Sequence, residues 1–322
     1  MIILKKVAFT YRIPEKGINF LKNKYEVWVN NENRQLTKNE LINIFEENDA
    51  VVTLLSDKID SDILRSKKNR VKIISNYAVG YNNIDVKTAK ELGIKVTNTP
   101  DVLTNATADL AWALLMSISR RIVESDKFVR EGKFKGWEPE LFLGSNLVGK
   151  KLGVIGFGRI GRAFAKRAKG FDMEVFYYKR KRLDDDTERS LEVLYSDIDY
   201  IMRECDFISL HMPLTEDTHH IINKRRLDMM KKNSYIINTA RGAIIDEKAL
   251  FEKLKNNEIS GAGLDVYEFE PDLTEGLKKL NNVVLAPHIG SATVETRNEM
   301  SLMVAKDIDL LLSDKKPINE VV

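Results

Sequence analysis

The first hundred residues alternate between short apolar runs and longer polar stretches. The apolar runs fall at Ile2–Ala8, Tyr25–Val29, Ala50–Leu55, Val71–Ser75 and Ile94–Thr97. Between them, segments such as Lys38–Glu46 and Asp60–Ser66 space Leu, Ile and Phe at helical intervals. This alternation predicts an α/β fold in which a parallel sheet is covered by helices on both faces. No fixed repeat period is visible.

The stretch Thr104–Val123 has a different pattern. It is rich in Ala and Leu and follows Thr99-Pro100, where the chain must leave its strand before turning helical. Apolar residues lie on nearly every face, so one long buried helix is expected to carry the chain from a first unit into a second. The second unit opens at Leu147–Lys150, with a strand at Lys151–Gly156, a helix at Arg159–Lys169 and a strand at Met173–Tyr178. Further strands are predicted at Asp206–His211, Ser234–Asn238, Ile259–Leu264 and Val283–Ala286, and a final helix at Thr293–Leu312.

Composition narrows the function classes. A chain of 322 residues, 43% hydrophobic and 31% charged, has a globular balance and the length of two domains. The net charge is +3 with basic and acidic residues interleaved, which gives no support for a nucleic-acid partner. No apolar run nears the ~18 residues of a membrane span, and the N-terminal run is too short for a signal peptide. The single cysteine, Cys205, cannot form an internal disulfide, so a reducing, cytoplasmic setting is expected, with Cys205 as a small core residue.

Gly156-Phe157-Gly158-Arg159-Ile160-Gly161 matches G-x-G-x-x-G. Alone that is a weak signal; between a predicted strand and a predicted helix, with another strand to follow, it predicts a dinucleotide site. The first Gly permits a tight turn, the second lets a pyrophosphate approach the backbone, and the third lets helix and strand pack closely. The helix N-terminus adds partial positive charge. An NAD site would place an acid at the end of the next strand. Here the strand runs into Lys179-Arg180-Lys181-Arg182, a basic cluster that attracts a 2′-phosphate where an acid would repel it. Charge-assisted contacts are each worth about 1.5–3 kcal/mol. Two of them would give a roughly 10²–10⁴-fold preference for NADP(H), with NAD(H) still possible.

Four histidines are present: His211, His219, His220 and His288. His219 and His220 lack the i, i+4 spacing of a helical metal pair and no Cys or carboxylate cluster joins them, so they are expected to be surface residues with no metal. His211 stands at a strand end, where a loop-shaping or cofactor-lining role fits. His288, in Ala-Pro-His-Ile-Gly, follows a strand whose C-terminal end should face a ligand crevice. Two other strand ends carry Asn-Thr-Ala-Arg-Gly, with Arg241, and Leu-Asp-Val-Tyr-Glu-Phe-Glu-Pro, with Asp265 and Glu270.

Taken in order, GFGRIG, NTARG, LDVYEFEP and APHIG resemble the D-isomer-specific 2-hydroxyacid dehydrogenase family. The likeness covers almost the whole chain, including NYAVGYNNID at Asn76–Asp85 and the stretch TNATADLAWALLM. Within the family, the basic run after Tyr177-Tyr178 and the segment Gly136-Trp137-Glu138-Pro139 are similar to the glyoxylate/hydroxypyruvate reductases. The resemblance implies two Rossmann-like or flavodoxin-like domains with the active site in the cleft between them. Residues 1–99 with 288–322 would form the substrate domain. Residues 100–287 would form the NAD(P)-binding domain, including a dimerisation arm at about 104–146 and hence a homodimer.

By the same resemblance the catalytic set is Arg241, Glu270 and His288. Arg241 would hold the carboxylate of a 2-oxo acid through its planar fork. An imidazole of ordinary pKa ~6.5, raised by a neighbouring carboxylate, can donate a proton near neutrality, so His288 would be the acid and Glu270 its orienter. Pro213, Thr239, Ala240, Asp265 and the backbone from His288 to Gly290 would line the nicotinamide. Leu55, Val79 and Gly80 would meet the substrate, and Trp137 would reach the partner subunit's site. Asn82 and Asn105 stand where many members carry Asp. The implied activity is NADPH-preferring reduction of glyoxylate and hydroxypyruvate. Dehydrogenation of D-lactate or 3-phosphoglycerate is the alternative, and a non-catalytic, nucleotide-sensing corepressor a more remote one.

Overall fold

The structure, a computed structural model, describes residues 4–322; Ile2 and Ile3 of the first apolar run lie outside the described residues. The chain divides into a unit that runs to Leu103 and resumes over Ser291–Val322, and a unit formed by Thr104–Gly290. His288 lies just before the second of these boundaries, which falls after Gly290.

The first unit is built on β1 (Lys6–Phe9), β2 (Glu26–Val29), β3 (Ala50–Thr53), β4 (Ile73–Asn76) and β5 (Lys95–Thr97). All neighbours pair in parallel, in the order β2-β1-β3-β4-β5. Every residue of β3 and β4 is buried, as a sheet covered on both faces requires. The helix Lys38–Glu47 starts at a capping box in which Thr37 and Glu40 satisfy each other's backbone N–H. The helix Val294–Leu312 returns to this unit and lies against the helix Glu15–Lys22. Gly17 allows that approach: a Cβ there would sit 2.0 Å from the Ser301 carbonyl oxygen. The buried Asp307 then accepts N–H bonds from Ile318 and Asn319, which sets the last residues against β5.

The second unit contains β6 (Lys151–Ile155), β7 (Glu174–Tyr178), β8 (Val193–Tyr195), β9 (Phe207–Leu210), β10 (Tyr235–Asn238), β11 (Gly261–Leu264) and β12 (Val283–Leu285). Its sheet is also all parallel, in the order β12-β11-β10-β9-β6-β7-β8. The chain winds outward from β6 to β8 and then crosses back to β9 on the other side of β6. The crevice at the carboxyl ends of β6 and β9 is thus the topological switch point, where open α/β sheets hold ligands. β8 escaped the apolar pattern because only Val193 of its three residues is buried.

The long helix expected over Thr104–Val123 is two helices, Thr104–Ser119 and Ile122–Arg130. Arg121 takes a left-handed backbone conformation, φ +53°, and its guanidinium pairs with Glu124 at 2.7 Å. The first helix buries Ala111, Leu114, Leu115 and Ile118, and Gly263 of β11 passes beneath Leu114. The second helix buries no residue at all. Ile122 and Val123, which look like a continuation of the buried helix, are exposed.

Candidate active site

The turn between β6 and the helix Arg159–Ala168 is shaped by its glycines. Gly156 has φ +96°, and a Cβ on it would lie 2.5 Å from the backbone of His211 and Met212, at the end of β9. Only glycine lets these two strand ends close on each other. Gly158, by contrast, faces open space, with nothing within 4 Å of its would-be Cβ. It is the N-cap of the helix and provides no side-chain cap to the first helical turn, where Arg159 and Ile160 stand, and an uncapped helix start suits an anion. Gly161 packs against the Gly156 carbonyl.

At the end of β7 the basic run divides. Arg182 is held back by Glu188, whose carboxylate it meets at 2.6 and 2.9 Å, and its guanidinium lies over the Tyr195 ring. Glu188 also accepts from the Tyr177 hydroxyl. Arg182 is therefore engaged in packing this corner. Lys179, Arg180 and Lys181 have no ion-pair partner among the described residues, and no carboxylate occupies the strand end.

Three further strand ends bring the expected catalytic residues forward. After β10, Asn238 forms the turn: its Oδ1 accepts from Ala240 N at 3.0 Å and its Nδ2 donates to the Arg241 carbonyl at 2.9 Å. Arg241 also donates to the Ala240 carbonyl at 2.6 Å. Burial lowers the Arg241 pKa, and the nearby Glu270 carboxylate opposes that shift. The Thr239 hydroxyl is buried without a hydrogen-bond partner, an orphaned polar atom beside the switch-point crevice.

After β11 the loop from Asp265 delivers Glu270. Glu270 Oε1 accepts from Tyr267 N at 3.0 Å, and Oε2 meets His288 Nδ1 at 2.9 Å. Burial resists ionisation of Glu270, but His288, the Tyr267 N–H and Arg241 outweigh it and hold the pKa below the ordinary glutamate value. His288 has φ +55°, an uncommon conformation for a residue with a Cβ. What holds it there is Asp265. The buried carboxylate accepts from Ile289 N at 2.7 Å and from Gly290 N at 2.8 Å, the two residues that follow His288. Asp265, expected beside the nicotinamide, thus has both oxygens on backbone amides; burial raises its pKa and those amides oppose the rise.

Sequence patterns missed two supports of this arrangement. Tyr267 donates its hydroxyl to the Ala286 carbonyl at 2.8 Å, which ties the Glu270 loop to the end of β12. Gly242 lies so close to that loop that a Cβ would fall 1.8 Å from the Tyr267 carbonyl carbon. The Asn immediately before Thr-Ala-Arg was a visible turn signal; Gly242 and Tyr267 gave none.

Of the remaining expected residues, Pro213 follows β9 and its carbonyl accepts from Thr218 Oγ1 at 2.7 Å. His211 packs its ring on Phe164 and its Nε2 meets Ser209 Oγ at 2.9 Å. Trp137 is 84% exposed. In the first unit, Leu55 follows β3. Val79 and Gly80 follow β4 and have their carbonyls held by Asn98 and Asn76, at 2.8 and 2.7 Å. The expectation that no carboxylate joins the paired histidines is corrected: His220 Nε2 meets Glu268 Oε1 at 2.7 Å, across 48 residues of sequence.

Residues 112–290 match the family described as "D-isomer specific 2-hydroxyacid dehydrogenase, NAD binding domain". The chain is 50% identical to a glyoxylate reductase of Thermococcus litoralis, over 98% of this chain and 96% of that one. The chain belongs to the D-isomer-specific 2-hydroxyacid dehydrogenase family. Among solved structures, a Thermus thermophilus protein superposes with a TM-score of 0.93 at 40% identity, covering 98% of this chain and all of that one. An NADPH-dependent glyoxylate/hydroxypyruvate reductase from Sinorhizobium meliloti, solved with NADP and malonate, gives a TM-score of 0.86 at 30% identity, over 99% and 97% of the two chains. This dehydrogenase accordingly uses a nicotinamide cofactor, and its residues fit one: an uncapped helix start, an open glycine and an orphaned buried hydroxyl. No helix among the described residues is long and apolar enough to cross a membrane.

Proposed function

We propose that this dehydrogenase reduces glyoxylate, and hydroxypyruvate, to the corresponding 2-hydroxy acid with NADPH preferred over NADH. The observation that carries the reading is the His288–Glu270 contact at 2.9 Å with Arg241 close by. When bound, the reduced nicotinamide supplies a hydride to the carbonyl carbon. Arg241 takes the substrate carboxylate on its planar guanidinium. His288, oriented through Nδ1 by Glu270, presents Nε2 and gives its proton to the carbonyl oxygen, so one hydride and one proton complete the alcohol. In the first unit, Val79 and Gly80 are proposed as carboxylate donors, because their N–H groups have no acceptor among the described residues, and Leu55 as an apolar wall. Relatives named glyoxylate reductases at about half identity over nearly the whole chain support the substrate class. The unpaired Lys179, Arg180 and Lys181 support NADPH.

Oxidation of NADPH and NADH at 340 nm with glyoxylate, hydroxypyruvate and pyruvate tests this directly. His288→Ala is expected to lower kcat at least ~10²-fold, and near-wild-type turnover would remove the proton-donor role. Acidic residues at Lys179 and Arg180 should reverse the cofactor preference; an unchanged preference defeats that assignment. We also propose a homodimer through the arm at about 104–146. Its Ile122, Val129, Phe134, Trp137 and Leu143 are exposed large apolar side chains that a partner subunit would cover. Light scattering after gel filtration decides it. The buried, unpaired Cys205, whose thiol burial pushes up to about 12, fits a reducing cytoplasm.

A further inference from the structure

His219, His220 and Glu268 form a cluster separate from the His288–Glu270 pair. Their nearest ligand atoms all lie within 4.8 Å of one another. The two imidazoles stack with ring centroids 4.0 Å apart, and His220 Nε2 meets Glu268 Oε1 at 2.7 Å. His220 is set by a left-handed backbone, φ +47°, and by its N–H bond to the Ala243 carbonyl at 2.8 Å. Glu268 is equally fixed. Its side chain is 11% exposed, its Oε2 accepts from Glu247 N at 3.2 Å, and its own N–H donates to Glu247 Oε2 at 2.8 Å. Glu247 is buried and bonds Thr274 N with its other oxygen.

Charge makes the cluster more than a hydrogen-bonded corner. Two largely buried carboxylates, Glu247 and Glu268, lie side by side, and His220 is the one basic side chain in ion-pair distance of either among the described residues. Both are satisfied only by backbone N–H groups and one imidazole, so their negative charge still favours a cation nearby. Two imidazole nitrogens and one carboxylate oxygen suit a borderline divalent ion, and poorly suit Ca²⁺ or Mg²⁺, which want oxygen shells. Three protein ligands leave room for water on the exposed His219 side, and Glu247 braces Glu268 from behind, as the outer partners of metal ligands do.

We propose that His219, His220 and Glu268 bind a divalent transition ion of the Zn²⁺ class, one per chain. Glu268 is two residues from Glu270 on the same loop, so an ion here fastens the loop that carries the partner of His288. The proposal does not rest on the substrate or cofactor assignment.

Full-length protein stripped with EDTA and titrated with Zn²⁺ by calorimetry is expected to bind one ion. Its melting temperature should rise by about 2 °C or more at 100-fold excess over Kd, with Mg²⁺ without effect. His219→Ala removes the exposed ligand together with its stacking on the His220 ring. It should keep the metal-free melting temperature and lose at least about tenfold in Zn²⁺ affinity. Glu268→Gln should lose binding more severely, and His288→Ala should leave it intact. Absence of stoichiometric binding, equal affinity in wild type and His219→Ala, or loss of binding in His288→Ala alone would each overturn the site.

Discussion

Gly242→Ala tests the geometry of the candidate active site with a single methyl group. Gly242 directly follows Arg241, and its would-be Cβ lies 1.8 Å from the carbonyl carbon of Tyr267, 2.0 Å from that oxygen and 2.3 Å from Glu268 N. All three are backbone atoms of the loop that leads to Glu270, so no rotamer change relieves the clash. Restoring ordinary contact separates the two segments by about 1.5 Å. That displacement exceeds the tolerance of the 2.9 Å bond between Glu270 and His288 and also moves Arg241 away from both. Misplacement by about 1 Å costs on the order of 10² in rate, so kcat for glyoxylate should fall about 10²-fold. Overpacking of this kind costs ~1–3 kcal/mol, a melting temperature lower by roughly 2–12 °C. The assay is NADPH oxidation at a temperature where circular dichroism shows the variant folded. Wild-type kcat in a folded Gly242→Ala protein would refute the claim that this backbone contact sets the catalytic arrangement.

Gly158→Ala should leave the melting temperature unchanged, because no atom lies within 4 Å of the new methyl, yet raise the cofactor KM about tenfold by blocking the pyrophosphate approach; an unchanged KM would show that the pyrophosphate lies elsewhere. Asp265→Ala leaves the amides of Ile289 and Gly290 without their acceptor, so a loss of about 1–3 kcal/mol in stability and a fall in kcat are expected from denaturant melts and steady-state kinetics. Burial pushes the His211 imidazole down from 6.5 to about 3. Between those values the unfolded chain binds the extra proton and the folded one does not. The contribution is therefore complete above about 6.5 and is lost as pH falls from there towards 3. Thermal melts from neutral to acid pH should show a shallower decline for His211→Gln than for wild type, and parallel curves would contradict the assignment.

The alternation of apolar runs and helical segments was enough to predict parallel strands in both units, because strands buried on two faces must be apolar throughout. The glycine turn was equally legible, since Gly156 has a backbone conformation and a neighbour that exclude a side chain. The long helix was misjudged at Arg121. Nothing in the order Arg-Arg-Ile-Val marks a left-handed residue that is not glycine, and exposed Ile122 and Val123 look like core from sequence alone. The basic run showed four candidate phosphate ligands, but the helix that follows β7 swings Glu188 onto Arg182 and withdraws one of them. His220 and Glu268 are far apart in sequence and meet because the segments that follow β9 and β11, strands of one sheet, come together. Their pairing is a tertiary fact with no local signal.

The helix Val294–Leu312 has a consequence for how the chain is made. Its Met300, Val304 and Ile308 are buried in a unit whose sheet is encoded in the first hundred residues. A ribosome therefore releases everything needed for the middle unit before the beginning of the polypeptide can be finished. Until the last thirty or so residues emerge, Ile18 and Leu21 on the early helix lack their cover. The nascent protein thus spends much of its synthesis with its oldest part open, a window in which a chaperone that shields apolar helix faces would matter most.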